Sequence, residues 1–183
     1  MQKILNIPNI LTLLRIVLTP MIVYALLNGN AALALTLMII AGISDMLDGA
    51  IARYFNQRTT VGAYLDPFAD KLMLVSMFVT LFFMEKIPMF IFLAVVFRDA
   101  VIVFGALAYE MVTKSLKMEP SIISKITTFM QISYVLLILI HMMGMIDQYW
   151  IIIATWSTFI VTCASGIHYM IEWTRKATHH EQM

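Results

Sequence analysis

Charge is scarce in this chain: Asp, Glu, Lys and Arg make up 13% of its 183 residues, while 61% are hydrophobic. A soluble domain carries charge at about a quarter of its positions. The deficit excludes a soluble globular core, and a mean hydropathy of +0.88 points to an integral membrane protein. Cysteine is scarcer still. Cys163 stands alone, which excludes an internal disulfide and any thiolate metal spacing. No low-complexity tract or linker is present, and no nucleic-acid partner is expected. The apolar opening lacks a small-residue cleavage site and is interrupted by Pro8, Asn9 and Arg15, so it reads as a retained first span. The sixteen methionines follow no fixed spacing and read as adaptable packing.

What is abundant is apolar sequence in runs of membrane-spanning length, about 20 residues each. Six fit, near Ile10–Leu27, Ala31–Arg53, Thr60–Phe83, Pro88–Val112, Ser121–Met142 and Tyr149–Trp173. Turn or polar residues separate them at Asn28-Gly29-Asn30, 54–59, 85–87, 114–119 and 144–148. The connections are short, so the expected fold is all-α: one polytopic helical-bundle domain, 1–183, with six transmembrane helices. Lys3, Arg53, Arg58, Lys114, Lys117, Arg175 and Lys176 fall on one side of that arrangement and Lys86 on the other. The positive-inside rule then places both termini and the 53–60 connection in the cytoplasm.

Against this background one stretch is conspicuous. Asp45 to Asp70 reads DMLDGAIARYFNQRTTVGAYLDPFAD, with the pattern D-x2-D-G-x2-A-R-x8-G-x3-D-x3-D. Carboxylates in a lipid-embedded segment are costly and need a compensating partner. Asp45 and Asp48 share one helix face, as do Asp66 and Asp70, and the short connection turns both faces to one gap open to the cytoplasm. Four carboxylates without histidine or cysteine make a hard, oxygen-rich site suited to Mg2+ or Mn2+, and two such ions would bridge a pyrophosphate. Gly49 permits close approach of a ligand, Ala52 keeps the same surface shallow, and Gly62 faces the gap from the third span. Arg53 presents a planar fork suited to a phosphate or a nucleotide carbonyl. Pro67 frees a carbonyl one turn earlier, with a kink expected there. Asp70 is the carboxylate placed to take a proton from an attacking alcohol.

At these residues the chain resembles the CDP-alcohol phosphotransferase family. Asp45, Asp48, Gly49, Ala52, Arg53, Gly62, Asp66 and Asp70 match all eight positions of its signature, and the opening NIPNILTLLRIVLTP and the later SIISKITTFMQ extend the likeness along the chain. The resemblance implies transfer of a phosphatidyl or similar group from a CDP-linked lipid to an alcohol, with release of CMP. It implies two divalent ions on the four aspartates, Asp70 as general base, and a homodimer. In its phospholipid-synthesising bacterial branch the implied location is the inner membrane, with the site facing the cytoplasm. The donor is then CDP-diacylglycerol.

Two acceptors remain open. The opening segment and LDPFADK look like phosphatidylglycerophosphate synthases, which use glycerol 3-phosphate. Those enzymes commonly have an arginine-glutamate pair in the fourth span, a second arginine about two turns later, and a glycine-lysine-x-lysine run; here stand Arg98-Asp99, Ala106 and Ser124-Lys125-Ile126-Thr127. Arg98-Asp99 with Pro120-Ser121 and Ser124-Lys125 looks more like CMP-forming cardiolipin synthases, whose acceptor is phosphatidylglycerol. That acceptor is preferred.

Each assignment has a plainer counterpart. Arg98 and Lys125 either meet an acceptor phosphate or pair with Asp99 and backbone carbonyls. Arg15 reads as a snorkelling side chain or an inter-helix partner. Thr59 and Thr60 suit a helix cap, and Tyr149, Trp150, Trp156 and Trp173 suit interfacial anchors. His141, His168, His179 and His180 are assigned no chemistry. Among rival functions, an ion-coupled transporter predicts polar residues reaching the far face, where few occur beyond Glu85, Lys86 and Asp147. An intramembrane aspartyl protease needs just two of the acids and leaves the glycines and Arg53 without a role.

Overall fold

The computed structural model describes the backbone of residues 7–54, 60–113 and 122–180, and the side chains of residues 10–47, 65–105 and 122–172. It is all-helical over those residues: α1 (Ile7–Leu27), α2 (Ala31–Tyr54), α3 (Thr60–Phe83), α4 (Met89–Thr113), α5 (Ile122–Met142) and α6 (Gln148–His180). Each helix coincides with one expected span. The largest departure is α6, which continues past Trp173 to His180. Hydropathy marks where lipid-compatible surface ends, but backbone hydrogen bonding continues through a tail without glycine or proline. The helix α3 runs unbroken through Pro67, and α1 through Pro20.

Among the described residues, three helices contain segments long and apolar enough to cross a membrane: Ile10–Leu27, Ile122–Met142 and Gln148–Glu172. The first of them is apolar on its outer face, and its buried face carries polar side chains beside Leu18, Ile22 and Leu26. Val17, Met21 and Tyr24 are exposed, whereas Thr12, Arg15 and Thr19 are buried. A helix in water has the opposite arrangement.

The helices α1, α3 and α5 end in the same way. Asn30 N donates to Ala25 O at 2.9 Å, Lys86 N to Leu81 O at 2.9 Å, and Met145 N to Ile140 O at 3.3 Å. Each of these bonds spans a residue of positive φ: Gly29 (74°), Glu85 (58°) and Gly144 (75°). This is the Schellman ending, which satisfies carbonyls left over at a helix C-terminus. Asn30 then caps α2, its Oδ1 accepting from Leu33 N at 3.0 Å.

The chain divides into two compact units, one of Met1–Lys86 with Ile138–Ile146, the other of Ile87–Leu137 with Asp147–Met183. In the first, α1 packs against α2 and α3. Ile22 and Leu26 of α1, Met38 of α2, and Met77, Phe78 and Leu81 of α3 are buried there. Ala31, Ala34 and Ala41 keep the buried face of α2 small, so that backbones approach closely. In the second unit α4 packs on α6, where Phe90 stacks on Trp156 at 5.4 Å and meets Phe159 edge-on at 5.1 Å. Polar pairs join α5 to α6: the Tyr134 hydroxyl and Thr155 Oγ1 lie 2.9 Å apart, and Gln131 Nε2 donates to Thr162 Oγ1 at 3.4 Å. Such bonds substitute for the hydrophobic driving force that lipid removes.

Candidate active site

The first unit brings the acids to α1. Arg15 has no exposed side-chain surface, yet its guanidinium serves two other helices. Its Nη2 lies 2.6 Å from Asp45 Oδ1 of α2, and its Nη1 donates to Asp70 Oδ1 of α3. One turn earlier on the same face, the Thr12 hydroxyl donates to Asp66 Oδ1. Thr12 and Arg15 are three residues apart, Asp66 and Asp70 four apart, and each pair shares a helix face. The pairing advances in step along both helices, so α1 and α3 run parallel here. Asp45 lies nine residues before the end of α2, Arg15 eight after the start of α1 and Asp70 ten after the start of α3. At 1.5 Å per residue all three sit at a similar depth, about 12–15 Å from these helix ends.

Burying an arginine is tolerated where its charge and donors are met. Here Asp45 and Asp70 meet the charge from one side and remain about half open on the other, with side-chain exposures of 46% and 50%. The pairing with Arg15 engages Oδ1 of each carboxylate. Thr19 adds a bond to the backbone behind the arginine, its Oγ1 donating to Arg15 O at 2.9 Å.

The structure therefore draws Asp45, Asp66 and Asp70 to one face of α1. The side chains of Asp48, Gly49, Ala52, Arg53 and Gly62 lie outside those described. Among the described residues no three His, Cys, Asp or Glu side chains come together as a ready-made metal site. The donors that Arg15 holds in place, on Asp45 and Asp70, are carboxylate oxygens with open surface, the chemistry that Mg2+ and Mn2+ prefer.

Arg98 and Lys125 belong to the second unit and differ in environment. Arg98 is 2% exposed: Nη1 donates to Asp99 Oδ1 at 2.8 Å, Nη2 to Ser124 Oγ at 2.6 Å and Nε to Ser165 Oγ at 3.3 Å. It thus ties α4 to α5 and α6. Lys125, the residue after Ser124, is exposed.

Arg15 fits the inter-helix reading of its sequence context. Thr12 and Ser165 were not singled out by that context. Their signal is a hydroxyl within one turn of a buried cation (Thr12) and a serine on the buried polar face of α6 shared with Thr158 and Thr162 (Ser165).

The profile of the CDP-alcohol phosphatidyltransferase family matches residues 5–164. The chain is 34% identical over 148 residues to a probable cardiolipin synthase (CMP-forming) of Drosophila melanogaster, covering 72% of this chain and 46% of that protein. It is 36% identical over 126 residues to the CDP-diacylglycerol–glycerol-3-phosphate 3-phosphatidyltransferase of Aquifex aeolicus, covering 68% of this chain and 70% of that protein. To the human cardiolipin synthase (CMP-forming) it is 30% identical over 143 residues, covering 69% of this chain and 48% of that one. The chain thus spans about half the length of the two animal relatives. With its eight-residue signature, its helices and a profile match over most of its length, the chain belongs to the CDP-alcohol phosphatidyltransferase family.

Proposed function

We propose that this protein transfers the phosphatidyl group of CDP-diacylglycerol to an alcohol in glycerophospholipid synthesis, releasing CMP. The observation that carries the reading is the gathering of three signature aspartates, Asp45, Asp66 and Asp70, by two adjacent side chains of α1. Relatives named as a probable cardiolipin synthase (CMP-forming) and as a CDP-diacylglycerol–glycerol-3-phosphate 3-phosphatidyltransferase support it.

In this reading Asp45, Asp48, Asp66 and Asp70 hold two divalent ions, Mg2+ or Mn2+. When bound, the ions offset charge on the pyrophosphate and on departing CMP. Asp70 takes the proton of the acceptor hydroxyl. The acceptor oxygen forms a bond to the phosphorus that carries diacylglycerol, the bond from that phosphorus to the bridging oxygen breaks, and the electron pair leaves with CMP. Gly49, Ala52, Arg53 and Gly62 receive the CDP group. The exposed Lys125 meets an acceptor phosphate, while Arg98, buried against Ser124, holds the start of α5 that carries it.

The preferred acceptor is phosphatidylglycerol, giving cardiolipin, with glycerol 3-phosphate the alternative. The reading further places the protein in a bacterial inner membrane as a homodimer, its site on the cytoplasmic side where most Lys and Arg fall. Incubation of purified protein with CDP-diacylglycerol and either acceptor, following CMP release, tests it. CMP release with phosphatidylglycerol is expected. Release with glycerol 3-phosphate alone reverses the acceptor assignment, and release with neither removes the proposed activity.

A further inference from the structure

A fully buried arginine bonded to two signature aspartates calls for a role of its own, because no position of the eight-residue signature includes it. We infer that Arg15 is the resident cation of the carboxylate cluster, a positioning residue that holds Asp45 and Asp70 together before a divalent ion arrives and then shares them with it. The inference rests on the divalent-ion reading above for its second half only.

The geometry supports both halves. Asp45 and Asp70 come from different helices, and with Asp66 beside them they repel one another in a poorly solvated site. A cation bonded to both at once removes that repulsion and pins α2 and α3 to α1. Guanidinium suits the task, since its planar fork meets two carboxylates and stays charged when buried. Arg15 engages Oδ1 of each acid, and both carboxylates keep about half of their side-chain surface open, which leaves surface for a metal. The guanidinium and the ion then sit on the same carboxylates with like charge. Site affinity for a hard cation follows the net charge of the ligands, so Arg15 lowers affinity while keeping the ligands in place.

This combination separates a resident cation from a merely structural arginine. In EDTA, Arg15→Gln is expected to lower the melting temperature of the detergent-purified protein by about 5–10 °C, in line with loss of a buried pair. The same variant is expected to bind Mn2+ about tenfold more tightly, read by titration of the free-ion spin signal, and to recover much of its lost melting temperature in Mn2+. Arg15→Lys keeps the charge without the fork; it should melt between the two in EDTA and bind Mn2+ nearly as the wild-type chain does. An unchanged melting temperature of Arg15→Gln in EDTA overturns the inference, and so does Mn2+ binding that is no tighter. Should Arg15→Gln unfold in EDTA, Mn2+ is expected to restore it, and failure to do so counts against the inference equally. Absence of Mn2+ binding by the wild-type chain in that titration removes the divalent-ion reading and the sharing with it, whereas the EDTA comparison still judges whether Arg15 holds the acids together.

Discussion

The hydroxyl of Thr12 in α1 donates to the carboxylate of Asp66 in α3, 54 residues along the chain. A hydrogen bond to a charged group contributes about 1.5–3 kcal/mol, and groups that orient metal-ligating carboxylates typically change affinity or activity 10–100-fold. Thr12→Val keeps the shape and removes the donor. CMP release is expected to fall at least about tenfold while the circular dichroism spectrum stays unchanged. A wild-type rate would show that Asp66 needs no help from α1.

Asp70 has a separate test, because it is assigned both a metal and a proton. Asp70→Asn retains an oxygen able to accept from Arg15 and loses the basic carboxylate. Transfer is expected to drop by about 100-fold or more, with binding of CDP-diacylglycerol still measurable. Near-normal turnover would assign the base elsewhere.

Removal of divalent ions addresses the proposed cofactor directly. EDTA is expected to stop CMP release, and Mg2+ or Mn2+ to restore it, since all the proposed ligands are hard oxygens. Full activity in EDTA, measured with metal-depleted substrate, would exclude a metal-assisted transfer.

Arg98 is expected to show itself first in stability. It is buried and bonded to Asp99, Ser124 and Ser165, so Arg98→Gln leaves Asp99 without its bonded cation. Breaking a buried pair this way costs about 3–5 kcal/mol, which thermal unfolding in detergent will read. Lys125→Gln should instead leave stability within about 0.5 kcal/mol and raise the KM for the acceptor. A stable Arg98→Gln protein with a raised acceptor KM would move Arg98 into the binding site.

Composition and local pattern by themselves determined the membrane class, the six helices and the pair spacing of the aspartates. These are properties of single segments: hydropathy, turn residues such as Asn28-Gly29-Asn30, and the 3.6-residue period that puts Asp66 and Asp70 on one face. The signature residues were legible for the same reason, being close in sequence. Only the tertiary structure decided that Arg15 joins Asp45 to Asp70, that Thr12 meets Asp66, and that Arg98 is held by Ser124 and Ser165. Periodicity states which face a side chain occupies, but not which helix lies opposite or at what register. Those follow from the packing of α1 against α2 and α3 and from the matched depth of residues 26 to 67 positions apart, which no single segment encodes.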